Sequence, residues 1–237
     1  MVKPPAAFDK DEVIVKNRLR PKDAATLVLV RRDKEGPRVL MGQRHGNMAF
    51  MANKFVFPGG RVDPGDQRIL LGGDLRPHVA ERLIKGANAQ RARGFALTAI
   101  RETFEEAGIL VGERAEKLPR TRAPAWRKFF EHGIAPRLDS FEFIARAITP
   151  PNRTRRFDAR FFMADAETIA HTLDTSENNE LLKPCWLTLA EARSLDLPSI
   201  TRTVLDEVEA RLSDGPDGSR PVPFFRFLRG KSQMEFL

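Results

Sequence analysis

Between Arg101 and Gly108 the chain reads Arg-Glu-Thr-Phe-Glu-Glu-Ala-Gly, which sets Glu102, Glu105 and Glu106 at i, i+3 and i+4. On a helix these positions share one face, with Cβ atoms about 5–6 Å apart. Like charges so placed repel, each pair costing roughly a few tenths of a kcal/mol on a bare helix. Such a ridge is either a solvated face, helped by the Arg101–Glu105 i, i+4 pair, or the oxygen-rich half of a site for a hard divalent cation. Upstream, Phe57-Pro58-Gly59-Gly60 supplies a glycine bend whose backbone carbonyl can stand beside the same ion. The helix carrying the ridge is predicted from about Phe95 to Ala107, with Gly108 as its C′ residue.

Around that helix the pattern is mixed. Ala24–Arg32 is aliphatic and β-branched and reads as a buried strand. Asp33-Lys34-Glu35-Gly36-Pro37 is turn chemistry, and Arg38–Arg44 is the returning strand. Residues 67–93 form a polar, glycine-containing stretch with a helix-like portion from Pro77 to Lys85. Further on, the spacing predicts a helix over Ala125–His132 and strands over Phe141–Ile148, Arg160–Met163 and Leu182–Leu187. Helices follow at Leu189–Ser194 and Ile200–Leu212. Residues 1–22 read as an N-terminal arm, 23–212 as one domain and 213–237 as a turn-rich, then aromatic, C-terminal tail. Strands interleaved with helices place the chain in the α/β class, as a mixed sheet packed between helices.

No apolar run approaches the ~20 residues that cross a bilayer, and the N-terminus has no apolar signal core. The single cysteine, Cys185, cannot form an internal disulfide, so a reducing cytoplasm is the expected compartment. Beside Trp186 it reads as a core residue. Forty Lys and Arg against thirty-two Asp and Glu give a net charge of +8, which suits a phosphate-rich partner. With no tyrosine and no aromatic–lysine interleaving, that partner is expected to be a small molecule rather than a nucleic acid. Basic pairs such as Arg155-Arg156 read as ordinary solvated surface. His45, His78, His132 and His171 are scattered without a His-x-x-x-His pair, which argues against zinc.

The glycine bend and the glutamate octet together resemble the Nudix box, the signature of hydrolases that cleave nucleoside diphosphates linked to another group. The family pattern runs from a glycine through five spacers to an acidic residue, then through seven spacers to Arg-Glu and the Glu-Glu pair. Here Gly60 leads to Asp66, where the family has glutamate. Thirty-four residues then separate Asp66 from Arg101, an insertion of 27, about 67–93. A box split this way, preceded by Arg44-His45-Gly46-Asn47-Met48-Ala49-Phe50-Met51, is similar to the branch that includes peroxisomal coenzyme A diphosphatases. The chain itself ends Glu235-Phe236-Leu237, with no peroxisomal tripeptide.

The resemblance implies the Nudix α/β/α sandwich with a mixed β-sheet and a Mg2+ or Mn2+ cofactor. It assigns metal binding to Glu105 and Glu106, completed by Glu102 and the Gly60 carbonyl. Glu102 is the first choice of general base and Glu177 or Glu180 the second. Arg101 would orient the acidic side chains, while Asp66, one methylene short, leaves the usual ion pair to Arg101 in question. At least one clustered carboxylate is expected to have a raised pKa without metal. Arg44, Arg61 and the insertion are candidates for substrate contacts. The implied reaction is metal-dependent hydrolysis of a nucleoside diphosphate derivative, with coenzyme A or its esters as one substrate group. Dinucleoside polyphosphates and nucleotide sugars are rival substrates, and a non-catalytic nucleotide-sensing domain is the alternative outside enzymes. Pairing through terminal segments, as in the family, leaves a homodimer as an expectation.

Overall fold

The computed structural model describes residues 19–44, 53–71, 73–173, 181–215 and 220–237. The stretch 45–51 and the alternative bases Glu177 and Glu180 lie outside the described residues.

The chain opens with β1 (Lys22–Asp33) and β2 (Gly36–Arg44), joined by the tight turn that the sequence requires. Two short strands follow, β3 (Phe55–Val56) against β2 and β4 (Gly59–Arg61) against β1. Next come the helices α1 (Pro77–Ile84) and α2 (Ala89–Ala107) and the small strands β5 (Ile109–Val111) and β6 (Glu113–Arg114). Helix α3 (Pro124–Phe130) and β7 (Ile134–Ala135) lead to the long strands β8 (Glu142–Ile148) and β9 (Phe157–Asp165). The chain ends with β10 (Ile169–Thr172), β11 (Leu181–Thr188), α4 (Leu189–Ser194), α5 (Ser199–Asp214), β12 (Pro223–Leu228) and β13 (Lys231–Phe236).

Among the described residues nine strands form one sheet in the order β11-β2-β1-β9-β8-β12-β13, with β3 and β4 attached at the side. The sheet is mixed: β1 runs parallel to β9 and β12 parallel to β8, and the other neighbours are antiparallel. Alternate side chains of a strand point to opposite faces, and β1 shows why its run is apolar throughout. Ala25, Leu27 and Leu29 enter the core on the α2 side, while Val28 and Val30 enter the core under α4 and α5. The result is a three-layer sandwich. No helix among the described residues is long and apolar enough to cross a membrane.

Helix α2 starts earlier than the apolar spacing suggests. The Asn88 side chain accepts the Arg91 N–H at 2.8 Å and caps the first turn, so the helix begins at Ala89. It stops at Gly108, whose φ of 67° is left-handed and whose N–H returns to the Phe104 carbonyl. Arg91 Nε reaches Asp23 on β1 at 2.7 Å, which fastens the helix across the sheet.

The insertion is not a surface appendage. Ile69, Leu75, Val79 and Leu83 are buried in the α2-side core. Arg76 and His78, at the start of α1, both engage Glu142 on β8. Within residues 213–237 the described part packs back on the body. Helix α5 runs on to Asp214, and β12–β13 is a hairpin paired in parallel with β8. Phe225 is fully buried in the α5-side core. Cys185 is only partly buried on β11, so it is not a core residue; its burial, with Glu191 nearby, raises its thiol pKa.

Phe225→Ala should therefore cost about 3–5 kcal/mol of unfolding free energy, as for other buried aromatics cut to alanine. Urea denaturation measures it, and an unchanged midpoint would return 213–237 to the status of a tail.

Candidate active site

The two halves of the split box meet through one carboxylate. Asp66 is fully buried at the start of the short 3-10 turn Asp66–Arg68. Arg101 clasps it with Nε to Oδ1 at 2.8 Å and Nη2 to Oδ2 at 3.0 Å. Trp126 Nε1–H donates to Oδ1 at 2.8 Å, and the Asp63 N–H and the Thr98 hydroxyl donate to Oδ2 at 2.9 and 2.7 Å. A buried carboxylate so fully hydrogen-bonded overcomes its desolvation cost. The ion pair left open by the shorter side chain therefore forms.

From this anchor Arg101 reaches the ridge. Its Nη1 lies 2.7 Å from Glu102 Oε1 and 2.6 Å from Glu105 Oε2, and its Nη2 donates to the Arg61 carbonyl at 2.9 Å. Burial works against its charge, but Asp66, Glu102 and Glu105 outweigh that and raise its pKa above the ordinary value. One guanidinium cannot neutralise three carboxylates. Glu102 carries the excess: burial pushes its pKa up to about 7 against the pull of Arg101, with Glu105 and Asp66 adding to the rise.

The glycine bend closes on the ridge from the other side. A Cβ at Gly60 would sit 2.6 Å from the Glu102 carboxylate, so any other residue there would push that carboxylate out of place. The Gly59 N–H donates to Glu106 Oε2 at 2.8 Å. Gly60, Glu102 and Glu106 line one cleft of about 740 Å³, while Glu105 stands outside it, half-exposed and held by Arg101. Among the described residues no three His, Cys, Asp or Glu side chains already converge as a metal cage. Arg101 and the Gly59 N–H hold the carboxylates instead. The donor set nevertheless fits a hard cation: it is all oxygen, set against a glycine carbonyl, with no sulfur or imidazole.

The cleft walls are strongly basic. Arg44 and Arg61 line it as expected from the sequence, and Arg44 Nη1 lies 3.9 Å from Glu106 Oε1. Arg20, Lys22, Arg155 and Arg156 line it too, although they read as arm and surface in the sequence. Their convergence follows from the parallel pairing of β1 with β9, which sets Lys22 opposite Phe157. Arg156 is partly committed, donating to the carbonyls of Thr149 and Leu19 at 3.0 and 2.6 Å. Of the insertion, none of the described residues lines this cleft; Ile69, Leu75, Val79 and Leu83 pack instead into the α2-side core.

In metal-free protein Glu102 keeps its proton to about pH 7, whereas the unfolded chain releases it near 4.5. The folded form thus binds the extra proton, and stability must fall as pH rises through that window. In EDTA the melting temperature of wild type minus that of Glu102→Gln should drop by a few degrees between about pH 5 and pH 8. A difference that stays flat across that range would contradict the assigned environment.

No protein-family model matches the chain. The acyl-coenzyme A diphosphatase NUDT19 of Gallus gallus is 27% identical over 208 residues, covering 65% of this chain and 54% of that protein. The chain thus spans about half the length of this curated relative. A crystal structure of a Nudix hydrolase from Alicyclobacillus acidocaldarius superposes with a TM-score of 0.63 at 28% identity, covering 81% of this chain and 92% of that one. A mixed sheet bearing a reassembled Nudix box, matched along almost the full length of a Nudix hydrolase, makes the chain similar to Nudix hydrolases, and to the coenzyme A diphosphatase branch among them.

Proposed function

We propose that the protein hydrolyses the diphosphate linkage of a nucleoside diphosphate derivative with Mg2+ or Mn2+, and that coenzyme A or its esters are the substrate group. The observation that carries this reading is the Glu102 carboxylate pressed against Gly60, with Glu106 beside it, in a cleft whose other charged lining residues are all basic. The name of the Gallus gallus relative, an acyl-coenzyme A diphosphatase, supports the choice of substrate.

Glu102, Glu105, Glu106 and the Gly60 carbonyl would hold the cation. When bound, such an ion neutralises phosphoryl oxygens and lowers the pKa of a water. The chain's own residues supply the rest. Glu102, the carboxylate set against Gly60 in the cleft, is suited by position to take a proton from the attacking water. Arg101 touches no substrate in this scheme; it positions the glutamates from its anchor on Asp66. Arg44 and Arg61 face the diphosphate. Arg20, Lys22 and Arg155 are placed for a further anionic group, and coenzyme A carries one in its 3′-phosphate.

The test is a metal-supplemented screen of coenzyme A, dephospho-coenzyme A, dinucleoside polyphosphates and nucleotide sugars, with products identified by mass spectrometry. Glu106→Gln should lose roughly 10- to 100-fold or more of the metal-dependent turnover, as substitutions in metal shells do. Undiminished turnover would remove the mechanism, and binding without product in wild type would leave a sensor. Coenzyme A should outpace its dephospho form; equal rates would dismiss the role given to the distal basic wall.

A further inference from the structure

Helix α5 begins at the cleft with its first turn uncapped. Pro198 occupies the N-cap, no side chain caps the turn, and Ser199, Ile200 and Thr201 all line the cavity that holds Glu102 and Glu106. The first N–H groups of a helix have no acceptor within it, and with the helix dipole they favour an anion. This start is fixed in place. The Phe55 N–H donates to the Asp196 carbonyl at 3.1 Å, and the Arg44 N–H to the Lys54 carbonyl at 3.0 Å, which ties the helix start to β3 and β3 to Arg44. The nearby acid, Asp196, is paired with Lys54 at 2.7 Å.

Thr201 supplies an independent observation. Buried threonines elsewhere on the helices turn the hydroxyl back onto a carbonyl four residues earlier: Thr103 to Ala99 and Thr203 to Ser199. Thr201 does not. It is only 5% exposed, it lines the cleft, and its hydroxyl has no hydrogen-bond partner among the described residues. The hydroxyl is not sealed off: it keeps a little accessible surface, and the residue lines the cavity, where a ligand oxygen can accept from it.

We infer that the first turn of α5, with the Thr201 hydroxyl, is an oxyanion seat for the phosphoryl group of the substrate that the acidic ridge does not take. A diphosphate carries two phosphoryl groups. One belongs beside the glutamates and their cation; the other needs donors rather than carboxylates, and the α5 turn and Arg44 offer them. The inference rests on the diphosphatase reading only for which phosphoryl group sits there, since oxyanion binding itself requires no turnover.

The experiment therefore uses inorganic pyrophosphate as probe, in EDTA, on the full chain, by calorimetry and by amide shifts. Pyrophosphate should shift the Ile200 and Thr201 amides. Thr201→Val, which keeps the shape and loses the hydroxyl, should bind about 10- to 100-fold more weakly, the usual loss for a hydrogen bond to a charged group. Thr201→Ser should recover to within a few-fold. Wild-type affinity in the valine variant, equal weakening in the serine variant, or unshifted α5 amides in the wild type would each overturn the seat. Failure of Glu106→Gln to reduce turnover would sink the diphosphatase reading and leave these binding results intact.

Discussion

The pairing of Asp66 with Arg101 is the contact on which the site depends. Neither residue can be left alone where it lies, because a buried unpaired charge is among the most costly things a fold can contain. Asp66 answers with five donor contacts from Arg101, Thr98, Trp126 and the Asp63 backbone. Arg101 spends the rest of its guanidinium on Glu102, Glu105 and the Arg61 carbonyl. One ion pair thereby joins two chain segments thirty-four residues apart, orients the glutamates and holds the glycine strand against them. Trp126 brings α3 into the same arrangement, through an aromatic cluster with Phe129 and Phe130.

Excess negative charge is built into this arrangement. Three carboxylates surround one guanidinium, and Glu102, buried but without the full set of donors that Asp66 has, takes up the imbalance as a raised pKa. The arrangement is self-consistent without metal and primed to change when positive charge arrives. Glu105 and Glu102 both contact the same Arg101 nitrogen, so a cation drawing either one inward would compete with that contact.

Much of the structure was legible in the sequence where the signal is local. The β1–β2 hairpin follows from its turn residues, and the end of α2 follows from Gly108, since both depend on neighbours a few positions away. The glutamate ridge was legible because helical spacing is a local property. What could not be read depends on long-range pairing. The hairpin at 223–236 gains its place only by joining β8, nearly eighty positions earlier, and its short, turn-flanked strands look the same without that partner. The basic wall is another case: Arg20, Lys22 and Arg155 come together only because β1 and β9 lie parallel. Thr201 carried a weaker signal, a threonine just after a proline at a helix start, which periodicity alone treats as ordinary.

The excursion inside the box leaves and returns at nearly one point. Gln67 packs under Gly94, and Gln90 reaches back to the Gln67 carbonyl at 3.1 Å, directly beside Asp66 and Thr98. Closing a chain between two fixed ends costs entropy that grows only with the logarithm of its length, about 0.6 kcal/mol for each doubling. Closure therefore sets little limit on the length of the excursion; what holds it in place is the core it fills, with Ile69, Leu75, Val79 and Leu83 buried on the α2 side. Extra residues inserted at an exposed point such as Leu70 would leave the glutamates undisturbed, whereas removing the excursion would open the packing behind them.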